Sequence, residues 1–146
     1  MIVQTIQLAL APVFVLVAIG NILNMMASRL SRVVDRTREM QVAFRESEGE
    51  AHDASVRELR MLARRTTLIG RAQLSMVLSA ITIGITVVLI FSNQFLHAAT
   101  EPAVAISFAS AIAFLLGGLV LFLMETRVAS EQLRVPLAYL ELDRDL

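Results

Sequence analysis

Three apolar runs, at 8–27, 74–96 and 104–124, contain no Asp, Glu, Lys, Arg or His. A helix rises about 1.5 Å per residue, so crossing a hydrocarbon core of about 30 Å takes about 20 such residues. Each run meets that length. In lipid the backbone must satisfy its own N–H and C=O groups, which makes these runs helices. Their continuous rather than alternating apolar character excludes a β-barrel. With 56% hydrophobic residues over 146 positions, the chain lies outside the range of soluble domains.

Charge placement sets the expected orientation. The chain has 13 basic residues, and those between Arg29 and Arg71 form its one long arginine-rich stretch, in the polar segment separating the first two runs. Cytoplasmic loops retain Arg and Lys near span ends, whereas outer loops lack them. The arginine-rich segment 28–71 is therefore expected in the cytoplasm. The leader before Leu8 and the connection around His97 and Glu101 are expected outside. Arg127 and Arg134 keep the tail 125–146 inside, which gives an N-out, C-in multi-pass topology. Positive charge follows the first run instead of preceding it, so that run is expected to remain as an anchor rather than a cleaved signal. The absence of cysteine removes disulfides, thiolate metal sites and Cys nucleophiles.

Within 28–71 apolar or small residues recur at Leu30, Val33, Thr37, Met40 and Phe44, and again at Leu59, Leu62, Thr66, Ile69, Gln73 and Met76. The alternating 3 and 4 spacing predicts two arms, continuous with the first and second spans, that pair as an antiparallel helical hairpin. Each arm would project about 27 Å from the membrane. The acidic stretch Glu46 to Asp53 marks the turn, with Gly49 free to take a left-handed conformation. Ser55 and Glu58 have capping-box spacing, which predicts a helix restart there.

Two polar lines run through the spans. Asn21, Asn24, Ser28, Ser31 and Asp35 share a face of the first helix, and Ser75, Ser79, Thr82 and Thr86, followed by Asn93, share a face of the second. An asparagine amide facing lipid leaves its hydrogen-bonding groups unsatisfied, so Asn21 and Asn24 are expected to meet another helix or water. Ala105, Ala109, Ala113 and Gly117 form a small-residue ladder suited to close helix approach. These faces exceed what a three-helix monomer uses, so homo-oligomerisation is the economical expectation, with simple packing within the chain as the alternative. Pro12 predicts a kink, a late helix start or a helix-initiating position.

Arg29, Arg32 and Arg36 lie on one helix face beside Asp35; with Arg64, Arg65 and Arg71 they are candidates for binding a lipid phosphate or ringing the inner mouth of a pore. Their plainer role is to hold the loop inside and meet anionic headgroups. Acidic residues interleave them, so nucleic acid is not an expected partner. Catalysis needs a convergent nucleophile, base or metal, and His52 and His97 would lie on opposite membrane sides. No enzyme activity, metal site or cofactor is expected. The acidic turn does not follow EF-hand ligand order.

The run Pro12-Val-Phe, Gly20 and Asn24, followed by Arg29-Leu-Ser-Arg32-Val-Val-Asp35-Arg36-Thr-Arg38, is continued by Glu58-Leu, by Leu62-Ala-Arg64-Arg65 and by Leu68-Ile69. This pattern resembles a bacterial family of small three-span inner-membrane proteins known as domain of unknown function 2721. The resemblance covers nearly the whole chain and implies a bacterial inner-membrane location without an activity. The expected architecture is thus an all-α integral membrane protein of one domain, 1–146, with three transmembrane helices and a cytoplasmic hairpin. The leading functional expectation is a homo-oligomeric channel. The alternative is a non-conducting scaffold or accessory subunit docking a partner, for which Val34 and Val56 offer exposed apolar positions, or anionic lipid. In the tail, Leu133, Leu137 and Leu140 around Pro136 are expected to rest on the membrane or the hairpin.

Overall fold

A computed structural model describes residues 2–96 and 101–132 as three helices, α1 (Ile2–Glu46), α2 (Glu50–Leu96) and α3 (Glu101–Gln132). Each contains a window long and apolar enough to cross a membrane, and the chain is a multi-pass membrane protein. The side chain of Asn93, His97 and the tail positions from Leu133 onward lie outside the described residues. Pro12 sits inside α1, and the helix starts well ahead of it at Ile2. A late or proline-initiated start therefore does not hold; the missing N–H removes one intrahelical hydrogen bond instead.

Residues 47–49 join α1 to α2. Gly49 takes φ 62°, a left-handed conformation without steric penalty only for glycine. Its carbonyl accepts the Asp53 N–H at 3.2 Å, opening α2. Glu50 and Asp53 occupy the first turn, where negative charge complements the helix N-terminus. The helix thus restarts at Glu50 and not at Ser55. The Ser55 hydroxyl donates to the Ala51 carbonyl within the helix at 3.0 Å, while Glu58 pairs with Arg36 across the two arms at 2.8 Å. The rings of Phe44 and His52 stack over the turn with centroids 4.4 Å apart.

One buried line on each helix repeats every seven residues: Ile19, Met26 and Val33 on α1; Leu62, Ile69, Met76 and Ile83 on α2; Ala111, Gly118 and Glu125 on α3. A seven-residue apolar repeat keeps the contact on one face over a long helix pair. Val33, Leu62 and Ile69 form one cluster, with Leu30 and Met40 packed against it. Ile19, Met26, Ala72 and Met76 form a second, which Leu115 and Phe122 of α3 complete. Helix α2 is central and packs on both neighbours, whereas α1 and α3 barely approach along their backbones.

The hydroxyl line of α2 supplies the bonds to α3. Ser75 donates to the Phe114 carbonyl at 2.6 Å, Ser79 to the Ala111 carbonyl at 2.7 Å, and Thr86 meets the Ser107 hydroxyl at 2.8 Å. Thr82 donates within its own helix to Leu78, and its carbonyl accepts from Thr86 and Ser107. Gly118 permits the close approach, since a Cβ there would lie 3.2 Å from the Ala72 carbonyl and 3.1 Å from Met76 Cε. The expected ladder of Ala105, Ala109, Ala113 and Gly117 is exposed on the single chain. The packed line is Ser107, Ala111 and Gly118, and a Cβ at Gly117 of the ladder would lie 3.5 Å from the Ser75 hydroxyl.

Candidate functional site

Where the three apolar runs end on the arginine-rich side, one carboxylate joins all three helices. Glu125 is 0% exposed. Arg65 of α2 donates from Nε and Nη2 to Glu125 Oε1, both at 3.0 Å. Arg29 of α1 places Nη2 3.2 Å from Glu125 Oε2. The same Arg29 donates from Nη1 to Thr126 Oγ1 at 3.2 Å and lies 5.0 Å from the centroid of the Phe122 ring. A buried carboxylate survives only with partners of opposite charge and hydrogen bonds; Arg65 supplies both at Oε1, while at Oε2 Arg29 supplies charge alone, that oxygen accepting no hydrogen bond among the described residues. The planar guanidinium fork suits this role better than a lysine ammonium.

Beside this junction opens a cleft of about 710 Å³ whose wall includes Arg29, Arg32, Arg36 and Arg65, with Glu58 and Met25. Arg36 is held by Glu58 at 2.8 Å and by Glu39 at 3.1 Å, and these hydrogen bonds raise its pKa further above the usual arginine value. Among the described residues Arg32 has no ion pair or hydrogen bond. Arg64 and Arg71 are exposed and lie outside the cleft. Of the six arginines singled out from the sequence, four therefore converge and two do not.

The α1 polar line occupies the opposite side of its helix. Asn21 follows Ile19 by two residues and Asn24 precedes Met26 by two, which at 3.6 residues per turn is about half a turn from the buried line. Asn21, Asn24, Ser28, Ser31 and Asp35 are all exposed on the single chain. Ser28 turns its hydroxyl back to the Asn24 carbonyl at 3.1 Å. The two polar lines thus have different fates: that of α2 is largely consumed by α3, and that of α1 stays exposed among the described residues. Val34 and Val56 are half-buried beside the seam, not free as expected.

Glu125, Thr126, Phe122 and Ser107 were not singled out by sequence reasoning. Glu125 directly follows an apolar run and reads as the start of a tail; its seven-residue register with Ala111 and Gly118 is the signal that marks it as buried. Among the described residues no cluster of His, Cys, Asp and Glu is arranged to hold a metal ion.

Residues 9–135 match the family described as "protein of unknown function (DUF2721)". No curated protein and no solved structure matches the chain.

Proposed function

Because the chain belongs to this family and is a membrane-embedded three-helix protein, we propose that it is a homo-oligomeric, non-conducting scaffold of the bacterial inner membrane. In this reading copies associate through the polar edge of α1. The N-terminus lies outside, and the arms of α1 and α2 project into the cytoplasm. The observation that carries it is the exposure of Asn21 and Asn24 within an apolar run, on the face turned away from α2 and α3. A side-chain amide has donors and an acceptor, so two copies of one asparagine can satisfy each other where lipid offers nothing. Toward the other end of the run the same face continues as Val17, Phe14 and Leu10, all well exposed. Those side chains suit a sealed contact between helices better than a water column.

A pore is the second reading. The observation favouring it is the unbroken line from Asn21 through Ser28 and Ser31 to Asp35, which an assembly of several copies would gather round one axis. Purified protein in lipid nanodiscs separates the possibilities. We expect a discrete oligomer that the pair Asn21→Leu and Asn24→Leu reduces to monomer, with no conductance from the wild-type protein in planar bilayers. Steady, asparagine-dependent conductance would replace the scaffold with the pore. A wild-type monomer would overturn both.

A further inference from the structure

We propose that the cleft between the middle of α1, the first half of α2 and the C-terminal end of α3 is a binding site for a phosphate-bearing anion, with Arg32 as its principal ligand. The ion pairs among the described residues leave one arginine of the cleft out. Arg29, Arg32, Arg36 and Arg65 contribute four positive groups, while Glu125 engages Arg29 and Arg65, and Glu58 and Glu39 engage Arg36. Among the described residues Arg29, Arg36 and Arg65 each have a carboxylate partner, and Arg32 is the one without a counterion. Glu125 and Glu58 hold the neighbouring arginines in fixed geometry, so the cleft is preorganised around the free one. A guanidinium matches the spacing of phosphate oxygens through paired N–H donors, which makes phosphate the fitting anion class.

Size and depth agree with that chemistry. The volume of about 710 Å³ falls in the range of about 300–1,000 Å³ typical of small-molecule sites. Arg29 and Glu125 directly follow the apolar runs, where a span meets headgroups, and Met25 on the cleft wall belongs to the α1 run. A lipid whose phosphate meets Arg32 while its chain descends past Met25 uses both parts. A soluble phosphate compound uses only the first. The site does not require oligomerisation, since every residue named on its wall belongs to one chain.

The full chain in nanodiscs of phosphatidylcholine, with and without phosphatidylglycerol, tests the site by counting lipids retained in native mass spectrometry. A second arm titrates inorganic phosphate onto lipid-free protein in an uncharged detergent. Arg32→Gln is expected to weaken retention of phosphatidylglycerol about tenfold, the effect of losing one charge-assisted contact. Arg32→Lys should fall between the two, and Arg64→Gln, on an exposed arginine outside the cleft, should match wild type. Saturable phosphate binding that Arg32→Gln abolishes, without preference for phosphatidylglycerol, would assign the same site to a soluble phosphate. Equal losses in Arg32→Gln and Arg64→Gln would mean diffuse attraction to a charged surface and overturn the proposal, as would absence of saturable binding in both arms.

Discussion

Glu125 is the residue on which the three helices converge, and its energetics follow from desolvation. A fully buried carboxylate between Arg29 and Arg65 gains little over an apolar substitute, but removing it takes the Glu125 counterion from two partly buried guanidiniums. Glu125→Ala is expected to cost about 3 kcal/mol, toward the lower end of broken buried pairs because the arginines keep some access to water. Glu39→Ala removes one arm of an exposed pair and should cost less than about 1 kcal/mol. Chemical unfolding of both variants in the same detergent checks the difference; comparable losses would show that Glu125 is not a tie between helices.

At the scale of elements, the contact of α2 with α3 depends on the space left by Gly118. A methyl group there would press on the Ala72 carbonyl, which cannot rotate away as the Met76 side chain can. Gly118→Ala should therefore destabilise by about 1–2 kcal/mol through overpacking, even though alanine favours helix over glycine. At Gly117 the nearest group is the Ser75 hydroxyl, at an ordinary 3.5 Å, and Gly117→Ala should be neutral or stabilising. Thermal unfolding monitored by helical signal distinguishes the two neighbours. Much of this element structure was legible in the sequence. Val33, Leu62, Ile69 and Met76 fall on the alternating 3 and 4 spacing and all are buried. The turn at Gly49 was also legible, because one residue type tolerates its conformation. What was not legible depends on which helix a face meets. Periodicity leaves open whether the line of Ser79 and Thr86 packs within the chain or lines an axis between copies, which α3 placed against it decides, and the small residues of α3 offer several ladders of which periodicity alone cannot choose one. Glu125 escaped because hydropathy ends a span at the first charge, whereas the packed register runs one residue further.

For the whole molecule, the central claim is that α1 presents its asparagine edge to a second copy. The hydroxyl line of α2, the other sequence candidate for that edge, bonds α3 within the chain. The orientation proposed from the arginines makes a separate prediction. A cysteine introduced at Glu48, exposed next to the Gly49 turn, should resist a membrane-impermeant thiol reagent added outside intact cells and react once the cells are opened. Labelling in intact cells would invert the topology. The chain has no native cysteine, so introduced ones report without background. The most direct measurement of the central claim is disulfide crosslinking in native membranes of Val17→Cys on the α1 edge, compared with Ile106→Cys on the outer face of α3, both well exposed on the single chain. The account predicts covalent dimers from Val17→Cys that vanish when Asn21 and Asn24 are replaced by leucine, and none from Ile106→Cys. Equal crosslinking at both positions, or dimers from Ile106→Cys alone, would contradict it.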